Sequence, residues 1–281
     1  MQPLHKKVKQ ATSTSKGKII FITIVLLICS AVTLSVIYWN TVKKTFIREK
    51  INSVVQYKSN RLYRVHYDDM ELDERSGFLS VKNLLLYYDT TEYKRLSNKD
   101  IPGTLFRIKI PLIEITGVKT PQALLTKEII GRKVEIREPD IEIIYTHRGS
   151  DSTKGAPATE VYRQILGDLQ LIKIDSFLIT HAKITTHDIA TGQQKLLLTD
   201  TYLELRDVAV DSIANKDDSR MLFSKHLLLN CSRLSWTSAN KLYNYAISNI
   251  TLSSDEQKLS AKSFRVLPTL NEIKFAQKKI F

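Results

Sequence analysis

Apolar residues along this chain change their spacing twice. From Ile19 to Trp39 (IIFITIVLLICSAVTLSVIYW) they run without a charged residue. About twenty residues rising 1.5 Å each span the hydrocarbon core of a bilayer, so the run predicts one transmembrane helix over residues 18–39. Tyr38 and Trp39 close it, as interfacial aromatics do. A cleaved leader has a shorter apolar stretch and a small-residue cleavage site, and neither fits this run. Over residues 40–60, Val42, Phe46, Ile47, Ile51, Val54 and Val55 recur at helical spacing, which predicts an amphipathic helical linker.

Beyond Arg61 the period falls to two. Val65 and Tyr67, Phe78 through Tyr88, Ile108 and Ile110, Val134 and Ile136, then Ile141 and Ile143 alternate with polar residues, as strands with one buried face do. The texture returns at Leu169 to Ile184, Lys195 to Val208, Lys225 to Cys231, Leu242 to Leu252 and Leu259 to Leu267. The expected fold is mostly β, a long curved antiparallel sheet over residues 61–281. Two short helices are expected to interrupt it. Thr120 to Gly131 has a capping Thr120, a first-turn Pro121 and a terminating Gly131. Thr159 to Gly167 follows a Gly-, Ser- and Pro-rich loop at residues 148–158, a possible subdivision of the domain. Inward residues switch from even (Val134, Ile136) to odd positions (Ile141, Ile143) across Glu138-Pro139. A bulge or bend there keeps both sets on one face, and Pro111 predicts the same between Ile110 and Ile113.

Charge sharpens this division. The 42 Lys and Arg against 29 Asp and Glu give +13. Residues 1–60 contribute +9 of it, from ten Lys or Arg and one acid, Glu49, so the rest of the chain carries +4. Basic residues bracketing an apolar run suit anionic head groups, whereas a domain near neutrality lacks the field that nucleic acid requires, so no nucleic-acid partner is expected. The short basic tail, residues 1–17, places the N-terminus in the cytoplasm and the β-domain on the far side of the membrane. Of the two cysteines, Cys29 lies in the apolar run and Cys231 in a strand, so no disulfide is expected.

Two motifs carry a resemblance. Gly77-Phe78-Leu79-Ser80-Val81-Lys82-Asn83-Leu84 and Ile136-Arg137-Glu138-Pro139-Asp140-Ile141-Glu142-Ile143, preceded by an anchor helix and an amphipathic stretch, resemble the openings of AsmA-like proteins of bacterial envelopes. That family is related to TamB-type and chorein-type proteins. The resemblance is clearest over residues 18–146. It implies a single-pass inner-membrane protein with its domain in the periplasm, and a U-shaped sheet whose apolar concave face holds or conducts lipid acyl chains. It also implies membrane phospholipids as partners, with other envelope proteins a further possibility. Family members generally run longer, so the chain resembles a truncated relative or one piece of an assembly.

The groove candidates are Phe78, Leu84, Leu86, Ile108, Ile110, Ile141, Ile143, Phe177 and Ile179. The competing reading packs the same stripe on itself as a sandwich core, in an anchored scaffold that recruits partner proteins by strand addition. No phosphate loop, G-x-S-x-G or H-E-x-x-H is present. His181 and His187, near Asp188, lie about 20 Å apart on an extended strand, too far for one metal. Asp68-Asp69 and Asp217-Asp218 sit in turn-like sequence, and Tyr87-Tyr88 and Tyr243-Asn-Tyr245 suit packing or a groove wall. The expectation is a non-enzymatic protein with no catalytic residue, no metal and no cofactor.

Overall fold

Period-two alternation becomes twelve strands in the computed structural model, which describes residues 51–269 except 54, 58, 74, 98–100, 119–126, 147–168, 193 and 239. The basic tail, the apolar run and the expected helix Thr159 to Gly167 lie outside the described residues. So do positions 40–50 of the expected linker, while residues 51–53 and 55–57 are helical. Among the described residues no helix is long and apolar enough to cross a membrane.

The strands are β1 (Tyr63–His66), β2 (Asp69–Asp73), β3 (Phe78–Tyr88), β4 (Thr104–Thr116), β5 (Glu128–Arg137), β6 (Asp140–Tyr145) and β7 (Leu171–Asp188). They continue with β8 (Gln194–Val210), β9 (His226–Thr237), β10 (Tyr243–Ser253), β11 (Lys258–Ser260) and β12 (Ser263–Pro268). All belong to one sheet, ordered β1-β3-β4-β5-β7-β8-β9-β10-β11. β2 extends β1 along β3, β6 extends β5 between β4 and β7, and β12 lies beside β11 along β10.

The sheet is mixed, which corrects the antiparallel expectation. β5 and β6 both run parallel to β7, with Glu128 opposite Leu171 and Tyr145 opposite Asp188. A parallel neighbour requires the chain to return, between Tyr145 and Leu171, to the end from which it started. The expected helix Thr120 to Gly131 is also corrected, because Glu128 to Gly131 form the start of β5 and pair with Leu171 to Ile174. Its earlier residues lie outside the described set. A helix that was not expected, α1 (Thr90–Arg95), follows β3. Asp89 caps it by accepting from the Thr91 and Glu92 amides. Leu259 to Leu267 divides into β11 and β12, both paired to β10.

The expected phase change at Glu138-Pro139 is present, and it is one point on a line that crosses the sheet. Asn83, Glu138, His181, Asp200 and Asn249 all have φ near +50. The register sets Asn83 opposite Pro111, Pro111 opposite Glu138, Glu138 opposite His181, and Ser232 opposite both Asp200 and Asn249. At each crossing the strand turns two consecutive residues outward, as in Lys82-Asn83 and Arg137-Glu138, and then resumes. Leu79, Val81, Leu84 and Leu86 thereby reach the same core despite their mixed parity. Such interruptions bend and twist strands locally. Asn, Asp and His enter this left-handed conformation more readily than other side chains, which is why they predominate on the line.

A second line lies six residues away in β3, β4 and β7, about 20 Å along the strands. It runs through Gly77, Gly117, Arg132, Asp175 and Asp207, with positive φ at Gly77, Gly117 and Asp207. Gly77 is required there, since an added Cβ would lie 2.5 Å from the Val118 carbonyl oxygen.

Candidate functional site

One face of the sheet is apolar from edge to edge, because the two lines keep aliphatic residues on it through every strand. A single row across the strands reads Val65, Leu86, Ile108, Ile141, Ile184, Leu198, Leu234, Ile247 and Phe264. Its coverage falls from one edge to the other. Val65, Leu86, Ile108 and Ile141 are buried, Ile108 completely at 0% exposure. Ile184 to Ile247 are half-buried. Phe264 is 59% exposed, and Leu259 on β11 is 72% exposed.

Stacked aromatics floor the open part. Trp236 and Tyr245 face each other across β9 and β10 with ring centroids 5.1 Å apart and planes 19° from parallel. Phe264 stacks on Tyr245 at 6.1 Å, and Tyr243 lies 6.4 Å from Tyr245. Offset aromatic pairs at such separations hold their rings in fixed orientation, so this end of the face is firm as well as apolar. β12 then ends the sheet with Val266 and Leu267 exposed.

The nine sequence candidates divide clearly. Leu84, Leu86, Ile108, Ile110, Ile141, Phe177 and Ile179 are buried together in the main core, and Ile143 packs against them half-buried. Phe78 is half-buried one position before Leu79 on β3, so it points to the opposite face. The residues that line the open part of the face, Leu234, Trp236, Tyr245, Ile247 and Phe264, were not among the candidates. Of them only Tyr245 stood out in the sequence, as half of the Tyr243-Asn-Tyr245 patch. The other patch goes elsewhere, since Tyr88 meets Tyr93 of α1 in a small second cluster with Leu62, Leu105 and Ile144.

The outer face is a lattice of ion pairs. Arg137 bonds Glu114 at 2.6 Å and Glu135 at 2.8 Å, and Lys133 bonds Glu135 at 2.7 Å. The Arg137 and Lys133 bonds hold the Glu135 carboxyl below the usual carboxylate range. His226 and Arg206 both reach Asp255. On the same face His181, Asp200 and Ser232 stand together on the first line. Asp200 accepts from the Ser232 hydroxyl at 2.7 Å and sits 2.7 Å from His181 Nδ1. Both contacts, Ser232 foremost, hold its carboxyl below the usual carboxylate range. The carboxylate therefore separates the imidazole from the hydroxyl, the reverse of what nucleophile activation needs. His187 instead approaches Glu142, at 3.7 Å. No group of three metal-ligating side chains occurs among the described residues. Asp68 accepts from Asn83, and Asp217 accepts from Ser219 and pairs with Arg220, so one member of each acidic pair holds local structure.

These features define a β-rich protein built on one large mixed sheet whose apolar face is exposed at one margin among the described residues. Comparison of the sequence with models of known protein families finds no match, and comparison with curated proteins finds none either.

Proposed function

We propose that this chain is a non-enzymatic envelope protein, anchored in the inner membrane by residues 18–39 with its β-domain in the periplasm. Its curved sheet holds lipid acyl chains on the apolar face. The observation that carries the reading is the falling coverage of that face from Ile108 at 0% to Phe264 at 59% exposure. An acyl chain laid along Leu234, Trp236, Tyr245 and Ile247 leaves water at about 25 cal/mol per Å² of apolar surface removed. The resemblance to AsmA-like proteins supports the same reading, with membrane phospholipids as ligands. The buried residues Ile108 and Ile141 serve as its foundation, and the half-buried residues of β9 and β10 as its contact surface.

The test is native mass spectrometry of the full chain in mild detergent, with lipid extraction from the same sample. Phospholipid is expected to copurify, and an Ile247→Asp variant that keeps its strand-type circular dichroism is expected to lose it. A lipid-free chain that takes up no added phospholipid contradicts the proposal. One observation favours a second reading, the scaffold. β12 exposes Phe264, Val266 and Leu267, and among the described residues it pairs on one side only, to β10, as a strand-addition site does. A crosslinker at Arg265 that captures an envelope protein from a lipid-free chain supports it.

A further inference from the structure

The connection between β8 and β9 is built in an unfavourable way. Met221 and Ser224 exchange two backbone hydrogen bonds, of 2.9 and 3.0 Å, closing a two-residue turn on Leu222 and Phe223. Both central residues have positive φ, +52 and +66. Such a turn favours Asn-Gly, and a bulky pair there is a backbone outlier of the kind that accompanies function. The strain is held from several sides. Arg220 donates to the carbonyl oxygens of Asp207 and Phe223, Ser224 Oγ donates to Met221, and the Ala209 amide donates to Phe223. Phe223 packs against the core, but Met221 and Leu222 are exposed. On the same connection Ile213 is 81% exposed.

We infer that this tip is a membrane contact, with Ile213, Met221 and Leu222 entering the interfacial layer of the bilayer. The inference rests on the proposed anchoring, because the charge-free run from Ile19 to Trp39 brings the chain to a membrane. Charge sets the kind of surface. Lys216, Arg220 and Lys225 balance Asp211, Asp217 and Asp218, so the contact is hydrophobic and does not require anionic lipid. The tip joins β8 to β9, the strands over which the apolar face opens. Leu234 and Trp236 of the proposed acyl surface lie eight and ten positions beyond His226, so a bilayer at the tip meets the other end of the same apolar face, at Leu227 and Leu229.

The test uses the full chain in phosphatidylcholine vesicles that carry spin-labelled lipid as quencher. A fluorescent thiol label is placed at Leu222→Cys in a Cys29→Ala background, with Cys231 left in place because it is 3% exposed. A second sample carries the label at native Cys29, and a third at Lys262→Cys, an exposed position that the register sets opposite Asn249 of the first line. The Leu222 label is expected to lose roughly half its emission and the Lys262 label almost none. An unquenched Leu222 label beside a quenched Cys29 label overturns the membrane contact while the anchor stands, and leaves a protein as the occupant of the tip. An unquenched Cys29 label overturns the anchor, and a quenched Leu222 label in that sample set still supports the tip. Leu222→Asn provides a second reading. Asn accepts positive φ, so thermal stability is expected to rise, while a label at Met221→Cys loses its quenching. Quenching unchanged in that variant counts against the contact.

Discussion

Glu138 sits on the outer face with φ at +51, a conformation costly for a residue with a Cβ. Glu138→Gly is therefore expected to raise unfolding stability by about 0.5–1 kcal/mol in urea denaturation. Gly77→Ala is expected to lower it by about 2–3 kcal/mol, because its Cβ would strike the Val118 backbone. Asp200 adds a pH dependence. Its carboxyl is held below the ordinary aspartate value, first by the Ser232 hydroxyl and then by His181, so the folded state binds that proton more weakly than the unfolded chain. The resulting stability is present above the ordinary aspartate range and is lost as the pH falls through it toward the lowered folded value. Asp200→Asn is expected to flatten the fall in melting temperature on that acid side. An unchanged slope would show that the contacts of Asp200 do not bear on folding.

Elements were legible wherever alternation alone decides them. Phe78–Tyr88 was read from its pattern, and so was the switch at Glu138-Pro139. The helix ending at Gly131 was misread because capping signals are local, whereas Glu128 to Gly131 are claimed by partners 43 positions later in the chain. Tertiary pairing overrides a local preference in such segments. The parallel neighbours of β7 were illegible for the same reason, since alternation carries no information about strand direction. α1 did carry a signal, an Asp89 followed three residues later by Glu92, with Lys94 and Arg95 in the last turn. Asp89 also takes a 2.7 Å bond from Arg64 of β1, so the cap ties α1 to the sheet. Asp89→Ala is expected to cost about 1 kcal/mol of stability, read by chemical denaturation.

At the scale of the molecule, the sheet is a core at one edge and an uncovered surface at the other. Ile108 and Ile247 are both isoleucines on one row, and nothing in their neighbouring sequence distinguishes them; position relative to the sheet edge does. Ile108→Ala is expected to cost about 3 kcal/mol and Ile247→Ala about 1 kcal/mol, since only the first leaves a closed cavity. This is also why the groove candidates read from sequence fell in the core while the open residues went unremarked. The sequence marks a residue as apolar without marking whether the fold covers it. What the open margin touches decides between lipid and protein as its partner. The most direct measurement is photo-crosslinking of the full chain in vesicles with a phospholipid that carries a photoactivatable group at the end of one acyl chain, followed by peptide mapping. Adducts are expected on β9, β10 and β12, concentrated at Trp236, Tyr245, Ile247 and Phe264. Adducts confined to residues 18–39, with none on those strands, would contradict the lipid reading.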